Sequence, residues 1–245
     1  MLLNANTALA SFKALLVPYS SWHVPRYHEW MQDPEIQEAT ASEPLTLEEE
    51  YSMQRSWRQD PDKLTFIICR ALNDSIPSQS QLQPDSDSPS NMVGDINLFL
   101  RVDDGEEGDD EPQIIGEIEL MIAEKANQRR GFGRAALLMF LRYIVANEEA
   151  ILEEFVGGAG LGVECVRRLR DGGLGVACFS VKIGKENVRS LALFESVGFE
   201  KVSEEANFFG EFELRMGVLQ AEGVDRLLGM AGMDGVVELA YKRVE

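Results

Sequence analysis

Residues 114–146 read IIGEIELMIAEKANQRRGFGRAALLMFLRYIVA, and three patterns follow one another along that stretch. From Ile114 to Ile122 the pattern alternates, with Ile118, Leu120 and Ile122 on one face and Glu117, Glu119 and Met121 on the other, as in a strand whose two faces meet different surroundings. From Gly133 to about Glu149, Leu137, Leu138, Leu141, Ile144 and Val145 recur at helical spacing, which predicts a helix that needs a sheet to cover. Between the two, Lys125–Arg134 holds four cations and no acid, inside a chain of formal net charge −19. Gly131 and Gly133 stand where the helix starts. Unpaired backbone N–H groups and the helix dipole favour an anion there, and no side chain blocks close approach of the backbone. Arg129, Arg130 and Arg134 can add charge-assisted bonds around the rim. A Gly-x-Gly can also be only a helix start.

Gly131, Gly133 and Ala136 spell G-x-G-x-x-A, the start of a dinucleotide fingerprint. The spacing argues against it. That fingerprint turns directly from strand to helix and wants an acid ending the next strand, whereas eight residues separate Ile122 from Gly131 and Glu148–Glu149 follow helix.

Downstream, the pattern predicts strands at Val176–Ile183, Phe199–Val202 and Phe208–Met216, with a helix over Asn187–Val197. Upstream, Ala14–Tyr19 reads as a strand whose Pro18 suggests a sheet edge. Ser21 can cap a helix bearing Val24, Tyr27, Trp30 and Met31, with Pro34 helping to stop it, and Thr46 and Glu49 form a capping-box pair opening a helix to about Asp60. Leu64–Cys69 and Met92–Leu100 read as strands. Three stretches read as insertions: a polar loop at about 73–91, an acidic run at 102–112 with seven acids in eleven residues, and a segment at about 153–175, glycine-rich and interrupted by Arg167, Arg168 and Arg170. The expectation is an α/β protein with a mixed, mostly antiparallel central sheet flanked by helices. Residues 1–216 would form a single domain and 217–245 an extension.

A chain of 245 residues that is 44% hydrophobic can bury a sizeable core. Met1–Lys13 lacks a leader pattern, and no apolar run approaches the roughly 20 residues that span a bilayer, so the expectation is a cytoplasmic protein without membrane contact. Cys69, Cys165 and Cys178 are far apart, with no pattern for a disulfide or a zinc site. The negative charge opposes nucleic acid and favours cationic partners such as a protein N-terminus, a lysine or a polyamine.

Gln128-Arg129-Arg130-Gly131-Phe132-Gly133 resembles the Q/R-x-x-G-x-G/A motif of the GCN5-related N-acetyltransferases, and Asn187, Ser190, Phe194, Gly198 and Phe199 resemble that family's second motif in order. YHEWM from Tyr27, TASEPLTLEEEY from Thr40 and GEIELMIAE from Gly116 are similar to its N-acetyltransferase 9-like branch. The resemblance implies acetyl transfer from acetyl-coenzyme A to an amine of a protein or peptide, with no metal. It implies a central sheet in which two parallel strands splay apart. Coenzyme pyrophosphate would rest on the backbone of Arg129–Arg134, the pantetheine arm would pair with Met121, Ile122 and Ala123, and Asn187 would steady that arm, with Ser190 and Phe194 nearby.

An amine must lose a proton to attack a thioester, so a base is needed. Glu117 is the first candidate, because family members with a glutamate base carry it early on this strand. Glu119, on the same face, is the near alternative. The tyrosine that usually protonates the leaving thiolate is replaced by Phe194. Tyr51 and Tyr143 are substitutes without an assigned place, and His23 and His28 read as structural. The alternative function is a catalytically weak or inactive interaction protein that keeps this fold.

Overall fold

The strand at the centre of the sequence is also at the centre of the sheet. The computed structural model describes residues 1–72, 82, 85–104, 111–233 and 235–242. Among them nine strands form one sheet: β1 (Thr7–Ala10), β2 (Ala14–Pro18), β3 (Lys63–Arg70), β4 (Met92–Asp103), β5 (Gln113–Ile122), β6 (Val176–Gly184), β7 (Glu200–Lys201), β8 (Glu211–Gly217) and β9 (Val237–Ala240). The order across it is β7-β8-β6-β5-β4-β3-β2-β1-β9. Only β5 and β6 run parallel; every other neighbouring pair is antiparallel. The helices are α1 (Val24–Trp30), α2 (Pro34–Ala39), α3 (Leu47–Gln59), α4 (Phe132–Ala146), α5 (Glu148–Gly158), α6 (Val163–Asp171), α7 (Val188–Glu195) and α8 (Ala221–Met230).

The sheet is covered on both faces. Leu64, Phe66 and Ile68 of β3 join the core under α4, α5, α7 and α8, while Ile67 and Cys69 join a second core with Val24, Tyr27 and Trp30 of α1. That two-sided burial is why β3 is an unbroken apolar run rather than an alternation. The capping box of α3 forms as expected: Thr46 Oγ1 accepts from the Glu49 N–H at 3.3 Å, and Glu49 Oε2 accepts from the Thr46 N–H at 2.8 Å.

Several expectations are corrected. Ser20, not Ser21, precedes the first helical turn, and its N–H donates to His23 Nδ1 at 3.0 Å. Pro34 starts α2 instead of stopping α1, since a proline in the first helical turn sacrifices no intrahelical bond, and Asp33 caps that helix. The central helix runs from Phe132 to Ala146, after which Asn147 breaks it and α5 begins. The segment at 153–175 is not wholly an insertion: Phe155 and Val156 of α5 and Leu169 of α6 are buried, and short helices between glycines had masked the pattern. Pro18 does not mark an edge. It ends β2, which lies inside the sheet because β1 and β9 add beyond it. The last expected strand starts at Glu211, which leaves Phe208 and Phe209 exposed.

Residues after Met216 also pack on this body, α8 against α4 and β9 on β1. The acidic run shortens, since β4 reaches Asp103 and pairs it with Gln113; residues 105–110 lie outside the described residues. So do 73–81 and 83–84 of the polar loop. Its end is anchored, because the buried Asp87 accepts from Trp22 Nε1 at 2.9 Å and Tyr241 Oη at 2.6 Å and lies 3.2 Å from His23 Nε2. His23 is therefore structural.

Candidate active site

β5 and β6 stay paired from Ile114–Val176 to Glu117–Ser180 and then part, each keeping its other neighbour. The expected splay is thus present, and it leaves one edge of Ile118–Ile122 without a strand partner. Beside that edge is a cavity of about 660 Å³, of a size for a small-molecule site. Leu120–Ala123 form one wall, the turn before α4 forms the end, Asn187, Arg189, Ser190 and Leu193 form the other wall, and Ile36 and Ala39 of α2 overhang it.

The turn is held from within. Gln128 Nε2 donates to the Ile122 carbonyl at 3.2 Å, fixing its first residue against the end of β5. Arg129 (φ 59) and Gly131 (φ 86) are both left-handed, a geometry that turns successive N–H groups toward one side, and Gly131 is the cap of α4. At Gly133 a Cβ would come 3.4 Å from Leu193 Cδ2 and 3.5 Å from Leu120 Cδ2, between the two walls of the cavity. Asn187 caps α7 by accepting from the Ser190 N–H at 3.2 Å, so these two residues line the cavity and also start the helix.

Of the expected cofactor residues, Met121, Ile122, Ala123, Gln128, Arg129, Gly131, Phe132, Gly133, Arg134, Asn187 and Ser190 line this cavity. Arg130 is not among the lining residues; its guanidinium lies over the Phe132 ring. Phe194 does not line it: the ring is buried edge-on against Phe199, and the preceding Leu193 faces the cavity instead. Sequence reasoning missed Lys13, on the turn between β1 and β2, whose ammonium lies 5.7 Å from the Phe132 ring centre and beside Gly131. It also missed Arg189.

Glu117 and Glu119 are on the sheet face that α1 and α3 cover, where β5 leaves β6. Their circumstances differ. Both Glu117 oxygens accept from Lys182 Nζ, at 2.9 and 3.2 Å. Glu119 has no hydrogen-bonding side-chain partner among the described residues. Glu119 is an exposed residue, yet the protein atoms packed about its carboxyl desolvate it, and this, followed by the charges of Asp95 and Glu117, pushes it up to about 7. Asp95, wholly buried, is pushed up to about 6 by desolvation.

The remaining candidates separate by face. Tyr143 is packed edge-on against Phe66 in the core under α4, away from Glu119. Tyr51 borders the core under α1, and His28 lies 3.9 Å from Glu50. Among the described residues, no three His, Cys, Asp or Glu side chains gather to hold a metal, and no helix is long and apolar enough to cross a membrane.

The arrangement places a cationic turn and an open strand edge around one cavity at the end of a parallel strand pair; Glu117 and Glu119, on the same strand, are not among the residues that line it. Residues 13–200 match the sequence model of the acetyltransferase (GNAT) domain. The chain is 41% identical over 223 residues to human alpha/beta-tubulin-N-acetyltransferase 9, covering 91% of this chain and 88% of the relative. It is 37% identical over 238 residues to the N-acetyltransferase 9-like protein of Schizosaccharomyces pombe, covering 88% and 98%. Among solved structures, the fold is similar to spermidine N-acetyltransferase from Vibrio cholerae in complex with CoA and spermine, with a TM-score of 0.56, 14% identity, and coverage of 86% of this chain and 98% of that one.

Proposed function

This chain belongs to the acetyltransferase (GNAT) family, and we propose that it moves acetyl from acetyl-coenzyme A to an amine of a protein, with Glu119 as the base. The observation that carries this is the contrast between the two strand carboxylates. The Glu119 carboxyl has no side-chain partner among the described residues and is pushed up by desolvation and by the charges of Asp95 and Glu117, whereas Lys182 occupies both oxygens of Glu117. A base is most effective with a pKa near the working pH.

The Arg129–Arg134 turn, with Lys13 and Arg189, fits the coenzyme phosphates, and the open edge of Ile118–Ile122 fits a strand-like arm. Acetyl-coenzyme A supplies the electrophilic thioester. Backbone N–H groups of that edge polarise its carbonyl, and Glu119 takes a proton from the acceptor nitrogen, directly or through a water. As the N–C bond forms and the C–S bond breaks, the thiolate departs. Thiols ionise near pH 8.5, so solvent can protonate it and no side-chain acid is required.

The relatives' names carry tubulin, which makes a cytoplasmic protein amine the acceptor class to test. Purified protein incubated with acetyl-coenzyme A and tubulin dimers should yield acetylated tubulin by mass spectrometry. Coenzyme binding without product on tubulin or on a library of free-amine peptides would overturn the transfer reading in favour of a binding protein.

A further inference from the structure

The sheet face that bears Glu119 contains buried polar side-chain atoms that no other protein group satisfies. Asn97 of β4 is paired across the ladder with Glu119 on one side and with Thr65 of β3 on the other, so the three side chains form a row. Asp95, two residues before Asn97, points to the same face. Asp95 Oδ2 accepts from Asn97 Nδ2 at 2.8 Å and from Tyr27 Oη at 3.5 Å. Its Oδ1, together with Asn97 Oδ1, Thr65 Oγ1 and Tyr19 Oη, has no hydrogen-bond partner. Asp95 and Asn97 are each only 3% exposed.

A buried carboxylate without a paired cation is destabilising, and so is each unused polar atom. No cation is among the groups that shift Asp95. Two of these atoms only accept and two are hydroxyls that can accept as well as donate, which suits a ligand rich in N–H donors and carrying the positive charge that Asp95 lacks. A primary ammonium has three such donors; a quaternary ammonium has none. Directly opposed side chains on neighbouring strands are about 5 Å apart, so a group held by Asn97 lies within reach of Glu119.

We propose that Asp95, Asn97 and Tyr19 form an ammonium-recognition subsite that receives the acceptor amine in its protonated form and presents it to Glu119. This rests on the transfer reading above and names the step before it. Asp95 is a specificity residue: it binds the R–NH3+ group, and the proton then passes to the Glu119 carboxylate, leaving the neutral amine to attack. Glu119 thus draws from a bound cation rather than from the scarce neutral amine in solution.

Asp95→Asn keeps the shape and removes the charge. Because the wild-type charge is buried without a cation, the variant should fold with no loss of thermal stability and with the coenzyme A-induced shift intact. Two independent readouts follow. With tubulin as acceptor, KM should rise about tenfold or more while kcat changes little, the loss expected for hydrogen bonds to a charged group. With the coenzyme A complex, n-butylammonium should move the Asn97 side-chain amide resonance at about pH 8, where Asp95 is ionised, and tetramethylammonium should not. Asp95→Asn should abolish that response.

An unchanged KM in Asp95→Asn, a loss confined to kcat, or a drop in stability would each overturn the subsite. Equal responses to the two ammonium probes would do so as well. If wild type acetylates no amine while n-butylammonium still moves Asn97 in an Asp95-dependent way, the transfer reading fails and the subsite stands.

Discussion

The turn before α4 and the face beneath α1 carry opposite charge and are specified in opposite ways. The turn is cationic, contiguous and mostly backbone: Arg129 and Gly131 supply left-handed geometry, Gly133 supplies room, and Gln128 ties the turn to Ile122. The face is acidic and assembled from side chains on separate elements, with Tyr19, Tyr27, Asp95 and Glu119 brought together by the packing of α1 on the sheet. A backbone site depends on which residues lack side chains. An assembled site depends on which side chains lack partners.

The largest expected effect separates the two carboxylates of the assembled face. Glu119→Gln keeps size and hydrogen-bonding capacity but removes the base, so kcat near neutral pH should fall by about a hundredfold or more, with coenzyme affinity unchanged. Glu117→Gln loses an ion pair with Lys182 and should lose far less. The pH profile sharpens the contrast. Because Glu119 is raised to about 7, it is protonated and idle below that value, and the wild-type rate should climb through about pH 7. Glu119→Gln should lack that limb. If Glu117→Gln is the crippled variant and keeps no limb near 7, the roles are reversed.

A smaller effect is expected at the turn. Gly133→Val adds a branched side chain between Leu193 and Leu120, partly buried residues that line the cavity, at ordinary contact distance from both. A ligand at about 100 times its dissociation constant stabilises by roughly 2.7 kcal/mol, and that coenzyme-induced thermal shift should largely disappear in the variant while the apo protein melts near wild type. A full shift in Gly133→Val would mean the phosphates do not pass this turn.

This difference in construction also governs what could be inferred from the amino-acid sequence. The strand, turn and helix of residues 114–146 were legible because periodicity, glycine and charge inversion are all local. The splayed pair followed from family resemblance rather than from pattern, since neither strand records the point where its neighbour leaves it. β1 and β9 were missed because Thr7–Ala10 and Val237–Ala240 are only four residues each, and β9 finds its partner β1 across nearly the whole chain. Asp87 was placed in a loop with nothing to bury, and only the return of Tyr241 and the start of α1 give it partners. Glu117 ranked above Glu119 because the resemblance places a base early on this strand; that Lys182 pairs with Glu117 follows from the register of β5 on β6, which no local pattern records.

The least effect is expected at the position where the resemblance leads one to look for a general acid. Phe194→Tyr restores the usual family residue, and if that hydroxyl could reach the leaving sulfur the rate would rise. Phe194, however, is 2% exposed and packed edge-on against Phe199, while Leu193 takes the cavity wall. A hydroxyl added there enters apolar packing instead of the cavity, and burying it unpaired costs on the order of 1–3 kcal/mol. For a chain of this size that corresponds to roughly 2–10 °C in Tm. Phe194→Tyr should therefore melt earlier and turn over no faster than wild type, with an unchanged pH limb. A faster variant would show that α7 turns this side chain into the cavity when coenzyme is bound, and the acid would then belong to the backbone-built half of the site rather than to solvent.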